Sequence, residues 1–209
     1  MTARTNTSTT GYPTSADFSA TAAREAFARR STPVGALAAD AERLAAACHA
    51  MAERFRDGGR LVAFGTGTSA ADAAHVVVEF VHPVIMGKRA LPALALPGGA
   101  AGFAAELELF ARPRDIALAF APDAARAAVV GPALAAARER GLLTMALVGA
   151  DAAGTTADHL IAVPSDDPRI VREGHVTAYH VLWELVHVFL EAQDEPGTDV
   201  THGRGGREA

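Results

Sequence analysis

The chain has 209 residues, 50% of them hydrophobic and 21% charged, which suits one domain with a substantial core and is short for two. A formal net charge of −5 offers no general attraction to phosphate backbones or anionic membranes, which argues against nucleic acid or a membrane surface as the primary partner. Cys48 is the lone cysteine, so a disulfide framework and a cysteine-based metal site are excluded.

Residues 1–15 are Thr/Ser-rich without apolar periodicity, and residues 194–209 are rich in glycine and charge. Both are expected to be disordered tails flanking one domain over 16–193. No apolar run reaches membrane-spanning length, and MTARTNTSTTGYPTS lacks the hydrophobic stretch of a signal peptide. The cytoplasm is therefore the expected compartment.

A first helix is expected over Ser15–Arg30. Thr32 followed by Pro33 then reads as a new start, an N-cap hydroxyl before a proline whose missing N–H costs nothing there. Leu37, Leu44, Cys48, Met51 and Phe55 recur at helical spacing until Gly58-Gly59. Leu61–Phe64 is a short apolar strand that runs into Gly65-Thr66-Gly67-Thr68-Ser69, and a helical pattern follows from Ser69 to about Val81. Strands are expected at Ala90–Leu96, Ile116–Ala121, Leu142–Val148 and Leu160–Val163. Helices are expected at Ala100–Phe110, at Ala124–Arg140 with a kink or split at Pro132, and at Arg169–Ala192. Strands without polar alternation, separated by helices, imply a parallel sheet covered on both faces.

Three constellations could carry chemistry. In Gly65-Thr66-Gly67-Thr68-Ser69 the glycines allow a tight turn whose N–H groups, with the helix N-terminus, can face an anion; Thr68 and Ser69 add hydroxyls, and Ser69 would cap the helix. The same residues also make a plain strand-to-helix turn. The loop is neither a Walker loop nor a dinucleotide fingerprint, because the Gly-Lys-Ser/Thr ending and the third glycine are absent. His75 and Glu79, four apart, share a helix face, which suits two ligands of one metal, an acid–base pair, or a plain surface hydrogen bond. The last helix carries Arg172, Glu173, His175, Tyr179, His180 and His187 among apolar residues, any of which could instead be satisfied within the core.

In order and spacing, these segments resemble the sugar-isomerase (SIS) domain family, and phosphoheptose isomerases in particular. The resemblance is carried by GTGTSAADAAHVVVEF, AAARERGLLTMALVG, GTTADHLIAVP and REGHVTAYHVLWELVHVFLE. It implies a flavodoxin-like three-layer αβα sandwich with a five-stranded parallel sheet, and a homotetramer with active sites between subunits. It further implies a divalent metal, usually zinc, at His75, Glu79 and His180, with Glu79 and His180 moving protons through an enediol of a sugar phosphate. Gly65, Thr66, Gly67, Thr68 and Ser69 would line the substrate.

The chain departs from the family pattern where a serine/threonine loop normally grips the phosphate. Ala121-Pro122-Asp123-Ala124-Ala125-Arg126 stands there instead, with an aspartate that would repel a phosphate. Arg172 replaces a glutamine that helps hold the metal, and a cation beside a metal is unfavourable. Arg126 or Arg172 would then have taken over anion binding. The leading expectation is a ketose/aldose phosphate isomerase with a degenerate phosphate loop. The alternative is a non-catalytic SIS scaffold or regulator that binds a partner protein or a phosphosugar. Metal handling by the last-helix histidines with His202 is a weaker third reading.

Overall fold

The computed structural model describes residues 20–98 and 102–194. Helix α1 (Ala20–Ala36) leads through a 3-10 turn (Leu37–Asp40) into α2 (Ala41–Arg56). Then come β1 (Leu61–Gly65), α3 (Thr68–Val81), β2 (Ala93–Ala95), α4 (Gly102–Phe110), β3 (Ile116–Ala121) and α5 (Ala124–Glu139). The chain continues through β4 (Leu143–Gly149), a 3-10 turn (Ala150–Ala152) and β5 (His159–Val163) to α6 (Pro168–Asp194).

All pairings are parallel and the strand order is β2-β1-β3-β4-β5, the doubly wound flavodoxin-like order. Every residue of β1, β3 and β4 is buried, which is why these segments read as continuous apolar runs. Side chains alternate between two cores. Leu61, Ala63, Ile116, Leu118, Phe120, Met145 and Leu147 pack with α2, α3 and α6. Val62, Phe64, Ala117, Ala119, Ala146 and Val148 pack with α4 and α5. Cys48 lies fully buried in the first core, and burial pushes its thiol up to about 12, so it behaves as a small hydrophobe.

Several boundaries differ from the expectations. Pro33 does not start a helix; α1 runs through it to Ala36. Packing of α1 on α6, with Arg30 paired to Glu173 at 2.8 Å, outweighs the one backbone bond that a proline removes. α5 likewise passes Pro132 as one helix. The second strand is confined to Ala93–Ala95, at one edge of the sheet, where among the described residues it pairs only with β1. The expected tails lie outside the described residues except for Asp194, the last residue of α6.

Candidate functional site

The site forms where two helices lie side by side. α3 leaves the carboxyl end of β1, and α6 starts beyond β5; both point the same way and pack together. Asp72, His75 and Glu79 recur at intervals of three and four on α3, so they share one face. Arg172 and Tyr179 share a face of α6, with His180 beside Tyr179. The two faces meet in three rungs.

In the first rung, Arg172 donates Nε and Nη2 to Asp72 Oδ2 and Oδ1, each at 2.9 Å. Asp72 is nearly buried. This bidentate pair holds the arginine's charge, which is the physical reason that a cation is tolerated so near a candidate metal cluster; Asp72 and its hydrogen bond push the guanidinium pKa upward. In the second rung, the Tyr179 hydroxyl lies 2.6 Å from His75 Nδ1. Burial above all, and then the charges of Asp72 and Glu79, push the Tyr179 phenol pKa well upward, so it stays neutral. In the third, Glu79 Oε1 lies 3.1 Å from His75 Nε2 and 3.7 Å from His180 Nε2.

Among the described residues, His75, Glu79 and His180 can each offer one ligand atom such that all lie within 4.8 Å of one another. Two imidazoles and a carboxylate are a donor set suited to zinc, with a fourth position left for substrate or water. The imidazole side chains are 46% and 45% exposed, whereas Glu79 is only 13% exposed, so the cluster opens on one side. The donor set and its spacing fit a divalent ion.

The glycine loop lies at the start of the same helix, α3. Gly67 adopts φ +59° and caps α3 by its backbone, a conformation that L side chains rarely take. A Cβ at Gly65 would come within 2.7 Å of Ser69 Cβ. Ser69 is not the cap that its sequence position suggested; it sits inside α3, buried, with its N–H donated to Thr66 O at 3.1 Å. Next to the loop is a cleft of about 430 Å³, lined among others by Thr68, Pro122, Arg126, Arg169 and Arg172.

Asp123, expected to repel an anion, instead accepts the Arg126 N–H at 2.9 Å as the N-cap of α5 and is ion-paired to the Arg126 side chain. Its charge is therefore matched before any ligand arrives. Arg126 reaches over the loop: a Cβ built on Gly67 would lie 3.6 Å from Arg126 Nη2.

The other α6 histidines stand apart. His187 is buried, with Nδ1 2.8 Å from Trp183 O and Nε2 3.0 Å from Arg89 O. His175 is fully buried below the cluster, and desolvation pushes its pKa down to about 4. His202 lies outside the described residues. Sequence reasoning overlooked Asp72 and named Tyr179 only among the polar residues of the last helix; Asp72 stands three residues before His75 and Tyr179 seven after Arg172, and that spacing was the available signal.

The SIS domain family model matches residues 26–149, more than half of the chain. The phosphoheptose isomerase of Pelobacter propionicus is 36% identical over 157 residues, covering 68% of this chain and 82% of the relative. That of Roseiflexus sp. is 35% identical over 150 residues, covering 64% of this chain and 75% of the relative. Among solved structures, a phosphoheptose isomerase from Francisella tularensis superposes with a TM-score of 0.70 at 22% identity, covering 82% of this chain and 100% of that one. The phosphoheptose isomerase of Neisseria gonorrhoeae gives 0.68 at 23% identity over 78% and 96%; at such identities the likeness shows the fold. The family model and the sequence relatives go further: the chain belongs to the SIS domain family and is phosphoheptose isomerase-like within it.

Proposed function

We propose that the protein is an aldose–ketose isomerase acting on a sugar phosphate, with Glu79 and His180 as its proton-transfer groups. The observation that carries this reading is Glu79 Oε1 standing between two imidazoles that come from helices a hundred residues apart in sequence. The phosphoheptose isomerase relatives supply the reaction class.

Isomerisation needs a base at the carbon that bears the hydroxyl and an acid at the neighbouring carbonyl oxygen. Oε1 of Glu79 faces the imidazoles, and the other carboxylate oxygen is assigned the carbon-bound proton. His180, on the open side, gives a proton to the carbonyl oxygen and takes one from the adjacent hydroxyl as the enediol collapses. The proton then returns to the neighbouring carbon, so ketose and aldose interconvert without net gain or loss. Zinc held by His75, Glu79 and His180 would supply positive charge against the developing enediolate.

The phosphate is assigned to the cleft beside Gly65, Thr66, Gly67, Thr68 and Ser69, where the guanidinium N–H groups of Arg126 and Arg172 that Asp123 and Asp72 do not engage are the donors proposed in place of the missing hydroxyls. Asp123 is already paired with Arg126, so its charge is matched before an anion arrives. A homotetramer with sites between subunits is supported by the half-exposed imidazoles and by exposed Val78, Val84, Ile85 and Met86 at and after the end of α3. No described helix is long and apolar enough to cross a membrane; a cytoplasmic location accords with the substrate class.

The decisive experiment combines metal analysis of the purified protein with turnover of sedoheptulose 7-phosphate and other ketose phosphates in deuterated water. Bound divalent metal and solvent exchange of the α-proton are expected. A metal-free protein that exchanges no such proton in any of these sugars would refute the assignment.

A further inference from the structure

We infer that Tyr179 is a positioning residue that, together with Glu79, fixes which nitrogen of His75 carries the proton in each state of the site, and thereby whether Nε2 is open to a metal. The inference deepens the proposed metal site and rests on it for its functional meaning, though not for its test.

Tyr179 is fully buried and held on several sides. Its ring stands edge-on to His75 (centroids 5.4 Å apart), to His180 (4.9 Å) and to Phe120 (6.0 Å). The phenol oxygen cannot drift from its 2.6 Å contact with Nδ1 without disturbing all three. A neutral phenol has one hydrogen and two acceptor lone pairs, and a neutral imidazole has one N–H. Only two arrangements satisfy the contact.

In the first, the Tyr179 hydroxyl donates to Nδ1, and His75 Nε2–H donates to Glu79 Oε1 across 3.1 Å. Every group is satisfied without an ion. In the second, Nδ1–H donates to the phenol oxygen and Nε2 presents its lone pair. That lone pair would then face the Glu79 carboxylate directly, which is repulsive unless a cation lies between them. The first arrangement therefore belongs to the metal-free site and the second to the metal-bound one. Passing between them moves one proton from Nε2 to Nδ1 and turns the phenol hydrogen away, with no net proton lost from His75. Tyr179 thus serves both states, as donor in one and acceptor in the other.

The test uses full-length protein labelled with ¹⁵N at histidine, stripped of metal, together with Tyr179→Phe. Long-range ¹⁵N–¹H correlation should show His75 of the metal-free wild type protonated at Nε2 and bare at Nδ1, with a mixture of tautomers in Tyr179→Phe. Zinc affinity, read by competition with a chromophoric chelator, should fall about 10- to 100-fold in Tyr179→Phe. A metal-free wild type protonated at Nδ1 overturns the inference, as does unchanged zinc affinity in the variant. Wild-type protein that holds His75 in the Nε2–H form yet takes no zinc would refute the metal reading and leave the tautomer assignment standing. The wild-type spectrum decides the assignment even if the variant does not fold.

Discussion

Arg172 and Asp72, a hundred positions apart, form a two-pronged ion pair with both bonds at 2.9 Å, and this pair locks α6 to α3 directly beside the imidazole cluster. The carboxylate is 5% exposed and the guanidinium 33%, so one partner is far more deeply buried than the other. Removing the arginine strands a buried charge. Arg172→Gln should therefore lower unfolding free energy by about 3 kcal/mol, the low end for breaking a buried pair because the arginine is partly solvated. Asp72→Asn combined with Arg172→Gln should recover most of that loss. Urea unfolding of the four chains of this double-mutant cycle measures it.

Glu79→Gln keeps the side-chain volume and removes the base. Turnover should drop by about 100-fold or more, while the melting temperature changes little because the carboxylate belongs to an open cluster. Exchange of the substrate α-proton with solvent should fall in parallel. Loss of turnover with exchange intact would move the base elsewhere.

Arg126→Ala leaves Asp123 able to cap α5 through its backbone contact while removing the cation over the glycine loop. KM for a sugar phosphate should rise by about 10- to 100-fold, the loss of one charge-assisted hydrogen bond, with kcat less affected. Competition by inorganic phosphate should weaken to a similar degree. Equal KM values would place the phosphate away from this cleft.

His175 is fully buried and its pKa is held at about 4 by desolvation, against an ordinary value of about 6.5 in the unfolded chain. Between these values the unfolded chain binds more protons, so stability is complete above about pH 6.5 and is lost as pH falls towards 4. The whole window is worth about 3 kcal/mol. His159, whose pKa burial also lowers, acts in the same direction. Chemical denaturation between pH 7 and 4 should show this slope, and His175→Leu should flatten it.

Gly67→Ala would force a side chain into a positive-φ conformation at the start of α3. The cost should be about 1–3 kcal/mol, read by thermal melting. Gly58, also at positive φ with open space around it, provides a control in which strain acts without any effect on the site.

Local pattern was enough for much of the architecture. The apolar runs of β1, β3 and β4, the glycine stops and the helical spacing of α2 and α3 are decided by nearby residues, and the elements fall where the chain's own periodicity puts them. Where that reading slipped, at Pro33 and at the short β2, the deciding factor lay elsewhere in the fold: α6 packed against α1, and the place of β2 at one edge of the sheet among the described residues. The same division holds at the site. Spacing alone put His75 and Glu79 on one face of α3, and the family resemblance singled out His180 on the last helix. Spacing within one helix cannot say which face another helix will cover, because that depends on how two amphipathic surfaces pack over a shared sheet. Only the packed structure therefore set Arg172 on Asp72, Tyr179 on His75 and His180 beside Glu79, giving an arginine that looked like an obstacle a buried partner and one tyrosine of the last helix a place against the candidate metal ligand.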